Sequence, residues 1–244
     1  MSGAALEPAL VAGAAQLGIA LDSRQRERLL GLLAELAEWN GRFNLTGIRE
    51  PGDMLHKHLL DSLSVLPWLQ GQRIADVGTG AGFPGLPLAI VRPDAHFALI
   101  ESTTKKARFV EHVVQQLGLP NVSVVNERAE AYRPVAAFDT VVCRAIGKLA
   151  EFVGFAGHLC ARRGRLLAMK GKRPADEIGA LPRGWKVTGV HALTVPGLEA
   201  ERHVVLLSRK QGSDPERGDR GLTLSGSDPS VSSTTAPCFH SHGV

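Results

Sequence analysis

Several things are scarce in this chain, and each scarcity removes a class of protein. Its 244 residues hold 3 cysteines, Cys143, Cys160 and Cys238, too few and too scattered for a disulfide framework. A reduced, intracellular setting is the expectation. No apolar run approaches the roughly 20 residues that span a bilayer. The first residues carry Glu7 and Pro8 and no basic stretch, which argues against a secretory leader. Internal repeats are missing, so a solenoid is excluded. A strong charge of one sign is missing too: Lys+Arg 28 against Asp+Glu 24 leaves a net charge of +4, compatible with nucleic acid without identifying it. What remains is 44% hydrophobic and 21% charged, an ordinary globular composition with enough apolar material for one sizeable core. A cytoplasmic protein, outside the membrane, free of metal and monomeric, is expected.

The rest of the chain is organised around Ile74-Ala75-Asp76-Val77-Gly78-Thr79-Gly80-Ala81-Gly82-Phe83-Pro84-Gly85 and the acid at Glu101. The spacing predicts a strand, a tight glycine turn, and a helix starting at or near Pro84, where a missing N–H costs little. A second strand, His96–Ile100, then ends on Glu101. Glycines let the backbone approach a ligand, and the carboxylate sits where a ribose hydroxyl pair can be held. Gly80-x-Gly82-x-x-Gly85 fits a dinucleotide fingerprint, and Gly78-x-Gly80-x-Gly82 fits the loop of S-adenosylmethionine methyltransferases. A ligand-free glycine turn is the third reading. The residues of the loop leave all three open.

Upstream, residues 4–18 read as an alanine-rich helix. Asp22 and Gln25 are spaced as a capping box before a helix that buries Leu29, Leu30, Leu33, Leu36, Trp39 and Phe43. Asn44-Leu45-Thr46-Gly47 reads as a turn, and a third helix runs from Asp53 to Leu66. On it His58 and Asp61 can face one another, as a structural hydrogen bond rather than a metal site. Downstream, strands and helices alternate: strands Arg73–Val77, His96–Ile100, Val122–Val125, Phe138–Cys143 and Arg165–Met169, with helices Thr103–Leu117, Leu149–Cys160 and Ala175–Leu181. The helix at 103–117 is expected to bury Ala107, Val110, Val113, Val114 and Leu117. Such alternation predicts a doubly wound, mostly parallel sheet. Two last strands, Trp185–Leu193 and Arg202–Ser208, lack a helix between them and must pair antiparallel. A parallel sheet closed by such a hairpin is typical of methyltransferases, and too little chain follows for a dehydrogenase's substrate domain. The expected organisation is a helical extension over 1–70, a Rossmann-like core over 71–210, and a disordered tail over 211–244. That tail carries 7 serines, 5 glycines and 3 prolines. Its Cys238, His240 and His242 read as accidental neighbours.

The chemistry lies in the loops after the strands. After strand three, the Ala129 N–H and the Glu130 carboxylate can meet a base edge. Strand four ends Val142-Cys143-Arg144-Ala145, without the Asn or Asp followed by two prolines and an aromatic that exocyclic-amine methylation uses. Cys143 is placed for a nucleophile but reads as core. Arg144 falls beside the ligand crevice. From Arg144 to Arg173 the basic residues are Arg144, Lys148, Arg162, Arg163, Arg165, Lys170, Lys172 and Arg173, against the single acid Glu151. Charge gathered there suits a phosphate backbone better than a small metabolite. Neutralising Arg162, Arg163 and Arg165 is therefore expected to weaken RNA binding. Phe83, Tyr132, Phe152 and Phe155 are candidates to stack on an exposed base.

These residues together resemble the bacterial 16S ribosomal RNA (guanine-N7)-methyltransferase family, also known as glucose-inhibited division protein B. The resemblance covers roughly Leu29 to Arg209. It rests on Asn44-Leu45-Thr46, on the run from His58 to Leu63, on Asp76 to Gly85, and on Glu101 with Lys105-Lys106. Arg128-Ala129-Glu130 and Cys143-Arg144-Ala145 complete it. It implies a class I, Rossmann-like seven-stranded α/β fold and S-adenosylmethionine as cofactor. Contacts to that cofactor are implied at Gly78, Phe83, Ala129, Glu130 and Arg144, with Asp76, Gly80, Gly82 and Glu101 supporting the loop and ribose. The implied substrate is guanine 527 in the 530 loop of 16S rRNA in the small ribosomal subunit. N7 carries a free lone pair, so no general base is nominated.

Overall fold

A computed structural model describes residues 3–210 except residue 146, with side chains from residue 6 onward. The stretch from Gln211, with Cys238, His240 and His242, lies outside the described residues. Helix α1 (Gly3–Gln16) leads to α2 (Ser23–Phe43), whose start follows its spacing. The Asp22 carboxylate accepts the Gln25 N–H at 2.7 Å, and the Gln25 side chain accepts the Asp22 N–H at 3.0 Å. Two donors that a helix end leaves over are thereby satisfied. Helix α2 buries Leu29, Leu32, Leu33 and Leu36. Leu30 and Trp39, expected inside, are only partly covered, and Phe43 stays exposed beside the Trp39 ring.

The third helix is not the continuous α-helix its leucines predict. A short α3 (Pro51–Met54) passes into a π-helical stretch, Leu55–Leu60, and then α4 (Asp61–Leu63). In the wider turn the Asp61 N–H reaches back to the His56 carbonyl, and the extra residue shifts the phase of the side chains. His58 and Asp61, polar positions in the leucine pattern, are both buried.

Seven strands form one sheet: β1 (Arg73–Val77), β2 (His96–Ile100), β3 (Val122–Val125), β4 (Phe138–Arg144), β5 (Cys160–Lys170), β6 (Trp185–Ala192) and β7 (His203–Arg209). Their order is β3-β2-β1-β4-β5-β7-β6, and β7 is the strand that runs antiparallel to its neighbours. Alternate residues feed two hydrophobic layers, as a pleated strand requires. Ile74, Phe97, Leu99, Val142 and Leu167 face one layer with the leucines of α1, α2 and Leu55–Leu63, together with α5 (Gly85–Val91) and α6 (Thr104–Gln116). Ala75, Ala98, Val141, Cys143 and Leu166 face the other, under α7 (Leu149–Ala156). Helix α6 fully buries Phe109 in place of the expected Val114 and Leu117, which are only partly covered.

Two boundaries differ from expectation for one reason. Strand β5 begins at Cys160, not Arg165, and α7 stops at Ala156 before a short 3-10 turn. Cys160 pairs with Phe138 while Arg165 pairs with Thr140, so the register slips between them. A bulge of this kind hides a strand start behind the charged Arg162 and Arg163. A short α8 (Ala175–Ile178) follows β5. Among the described residues no helix is long and apolar enough to cross a membrane.

Candidate cofactor and acceptor sites

The loop after β1 is held from both sides by carboxylates. Asp76, fully buried, uses one oxygen, Oδ2, to accept the Thr79 hydroxyl at 2.6 Å and the Gly85 N–H at 2.7 Å. Glu101 accepts the Gly80 N–H at 2.9 Å with Oε2 and the Thr103 N–H at 2.7 Å with Oε1. The Ile100 carbonyl accepts the N–H groups of Gly78 and Thr79, which ties the loop to the end of β2. Gly78 and Gly80 sit at φ 68° and 61°, a region that costs glycine nothing and other residues a good deal. A Cβ at Gly78 would enter open space.

That open space belongs to a cleft at the carboxyl ends of β1 and β2. Val77, Gly78, Ile100 and Ser102 form one side, and Glu127 to Glu130 with Phe155 form the other. Of the predicted site residues, Gly78, Ala129 and Glu130 line it. Asp76, Gly80, Gly82 and Glu101 shape the loop without lining the cleft. Phe83 is a buried ring, stacked on His58 with centroids 4.7 Å apart. Ser102 and Phe155 are additions to the lining. Phe155, considered as a partner for a substrate base, belongs to this cleft, and Phe152 is wholly buried beneath it, so stacking on a substrate base does not fit either. Cys143 is buried, and burial with Asp76 nearby pushes its thiol far above the range where a thiolate forms.

Arg144 opens onto a second cavity, of about 510 Å³, at the ends of β4 and β5. Its walls come from four parts of the chain: Ile48; Lys57, His58 and Asp61; Arg144 to Ala145 with Met169 to Gly171; and Leu198, Ala200 and Arg202 before β7. His58 and Asp61 do not bond one another, as their spacing predicts. Each instead meets Arg144, more than eighty positions away in sequence. Arg144 donates to the Lys57 carbonyl at 3.2 Å and lies 3.5 Å from both His58 Nδ1 and Asp61 Oδ2. Arg202 donates to Asp61 Oδ1 at 2.9 Å. Since a guanidinium only donates, His58 Nδ1 is the acceptor and Nε2 carries the proton toward Thr46 Oγ1, 3.1 Å away. Arg202 has no part in the sequence reading; a lone arginine at a strand start gives no signal of a partner so distant.

Two buried groups here titrate in opposite senses. Burial, then the Arg144 charge, lowers His58 to about 4, and burial raises Asp76 to about 6. A histidine whose folded pKa is depressed favours the folded state above its unfolded value and loses that contribution as pH falls toward 4. A carboxyl whose folded pKa is raised favours the folded state at low pH and loses that contribution as pH climbs to about 6. Each is worth on the order of 3 kcal/mol at about 1.36 kcal/mol per pH unit, so between pH 4 and 6.5 they offset. We expect Asp76→Asn to make stability rise with pH across this window relative to wild type, and His58→Gln to make it fall. Denaturant titrations at four pH values check both slopes; parallel curves would contradict them.

The basic run from Arg144 to Arg173 is split by the fold. Strand β5 runs parallel to β4, so Lys170 ends it beside Arg144, while Arg162, Arg163 and Arg165 lie near its start, on the order of 20 Å away at ~3.3 Å per residue. Arg165 donates to Gln70 Oε1 and the Trp68 carbonyl, a structural position at the far edge of the sheet. The expectation that these three arginines contact RNA is therefore corrected. Lys172 and Arg173, exposed in the loop after β5, take their place. Neutralising Lys172 and Arg173 is expected to lower the salt slope of RNA binding by about 0.7–0.9 per lost phosphate contact. Neutralising Arg162 and Arg163 should leave it unchanged, and filter binding across a salt series separates the two outcomes.

Comparison with known proteins agrees with this geometry. A family model described as rRNA small subunit methyltransferase G (GidB) matches residues 25–205. Ribosomal RNA small subunit methyltransferase G of Aromatoleum aromaticum is 50% identical over 214 residues, covering 86% of this chain and 100% of that protein. The protein of the same name from Nitrosococcus oceani is 49% identical over 208 residues, covering 85% and 97%. Among solved structures, a SAM-dependent methyltransferase from Aquifex aeolicus aligns with a TM-score of 0.52 at 20% identity, over 67% of this chain and 96% of that one. Magnesium protoporphyrin IX methyltransferase from Synechocystis PCC 6803, solved with bound SAM, also gives 0.52, at 17% identity over 78% and 99%. These two speak for the fold, a class I S-adenosylmethionine-dependent methyltransferase sheet. With the sequence relatives and the cleft, they lead to one conclusion: the chain belongs to the rRNA small subunit methyltransferase G family.

Proposed function

We propose that this S-adenosylmethionine-dependent rRNA methyltransferase methylates N7 of guanine 527, in the 530 loop of 16S rRNA of the small ribosomal subunit. The observation that favours N7 is the state of the two groups in the second cavity that could take a proton. His58 Nδ1 faces the Arg144 guanidinium, and both Asp61 oxygens accept from arginines. Neither is placed as a general base. An exocyclic amine or a hydroxyl would need one; guanine N7 attacks with an in-plane lone pair and releases no proton.

Bound S-adenosylmethionine supplies an electrophilic methyl group on a sulfonium. The residues present fit it. Gly78 leaves the space that any side chain would fill, and Ala129 and Glu130 offer a backbone donor and a carboxylate to the adenine edge. Asp76 Oδ1 is a buried polar atom without a protein partner, suited to the ammonium of the methionyl part. Glu101 braces Gly80, so its part in holding the ribose is through the loop it sets. The chain's contribution to rate is then orientation of base against methyl, an effect that supplies about 7–11 kcal/mol in favourable cases. Arg144 stands between the two cavities, its charge felt at Asp76 on one side and its donors open to the other.

Supplying the purified protein with labelled S-adenosylmethionine and small subunits from a strain lacking it tests the reading. Label should enter 16S rRNA, and borohydride–aniline scission should cut at guanine 527. Label at another base, or in a protein or small molecule, would replace it.

A further inference from the structure

We infer that the second cavity selects its base through the O6 carbonyl, using guanidinium donors that the buried Asp61 carboxylate holds in place. This deepens the proposed guanine reading and rests on it. Among the described residues, every charged side chain lining this cavity is a cation except Asp61. Asp61 is itself 3% exposed, with Oδ1 taken by Arg202 and Oδ2 by Arg144. His58 presents its acceptor nitrogen to Arg144, not to the cavity. The side chains thus leave donors to an incoming base and no unengaged acceptor.

Donors remain on both arginines. Arg202 binds Asp61 through Nε and the Glu201 carbonyl through one terminal nitrogen, which leaves the other unused. Arg144 makes its protein contacts through its terminal nitrogens and keeps Nε–H free. Guanine offers acceptors at O6 and N7 on one edge, whereas adenine places an amino group where O6 would be. A donor facing that amino group is unpaired and desolvated, so adenine is refused although its N7 is also a nucleophile. N7 must stay clear for the methyl, so the O6 contact carries the choice. Met169, Leu198 and Ala200 give the apolar walls that an extruded purine ring would cover.

Asp61 is a positioning residue in this arrangement. Two guanidiniums from β4 and from the approach to β7 repel each other, and one carboxylate between them fixes both. Its loss would let both side chains turn outward to water.

The test uses small subunits reconstituted with ligated 16S rRNA that carries guanine, hypoxanthine or 2-aminopurine at position 527. Hypoxanthine keeps O6 and N7 and loses the 2-amino group; 2-aminopurine keeps N7 and the amino group and loses O6. Binding is read as dissociation constants with S-adenosylhomocysteine present, so that differences in N7 reactivity do not enter. Hypoxanthine should bind within about threefold of guanine and 2-aminopurine about 10-fold or more weaker. Equal binding of guanine and 2-aminopurine overturns the inference; absence of methylation on the guanine subunit overturns the proposed function instead. In Arg202→Ala the guanine to 2-aminopurine ratio should collapse toward one. Asp61→Asn should weaken RNA binding while leaving S-adenosylhomocysteine affinity within about twofold, a split that general destabilisation would not give. An intact ratio in Arg202→Ala, or unchanged RNA binding in Asp61→Asn, counts against it.

Discussion

Replacing Gly80 by valine is expected to abolish S-adenosylmethionine binding while the sheet stays folded. Gly80 lies at φ 61°, where a β-branched residue is strained by about 1–3 kcal/mol, yet a Cβ there has only the Gly78 carbonyl within reach, at 4.0 Å. The strain can relax by moving the loop, which breaks the Gly80–Glu101 hydrogen bond and displaces Gly78 from the cleft. Affinity should drop about 100-fold or more, or about 2.7 kcal/mol. Calorimetric titration reads the affinity, and circular dichroism reads the fold. Wild-type affinity in a folded variant would show that the loop conformation is irrelevant to the ligand.

Gly85→Ala, five positions on, should do the opposite and damage the fold first. A Cβ there would lie 2.2 Å from Leu99 Cδ2, 2.8 Å from Asp76 Oδ2 and 3.1 Å from Asp76 Cβ. Leu99 and Asp76 are both wholly buried and have nowhere to go. The added methyl forces α5 off β1 and lengthens the bond from Gly85 N–H to Asp76. Overpacking and a lost buried hydrogen bond together cost about 3–5 kcal/mol, or a melting temperature lower by about 10 °C. An unchanged melting temperature would mean that the helix is not seated against the strand as described.

The two glycines mark what could be read from the sequence. Local patterns carry well: the bounds of β1, β2 and β3 follow from apolar runs stopped by glycine or by charge, and the Asp22–Gln25 cap follows from spacing alone. The closing hairpin follows from the lack of a helix between its strands. Gly78, Ala129 and Glu130 were legible because the cofactor cleft is built from loops directly after consecutive strands. The acceptor cavity was not, because its pieces are far apart in sequence. His58 and Asp61 read as a pair at helical spacing, and only a π-helical turn and an arginine arriving from β4 show what they face. The basic run failed for a related reason. Residues close in sequence on a long strand are far apart in space, so Arg163 and Lys170 share a segment and not a site.

The ion pair between Arg202 and Asp61 closes a loop of 141 residues. The methyl-donor cleft has no such requirement, since it is lined by residues from Val77 to Phe155. A nascent chain emerging N-terminus first can therefore complete the donor cleft before the acceptor wall has left the ribosome. Strand β7, late in the chain, must still insert between β5 and β6, and long-range strand insertion of this kind is a slow step. Until it happens, Asp61 has only Arg144 for company. The protein that modifies ribosomes would thus acquire its hold on the methyl donor first and its choice of base last.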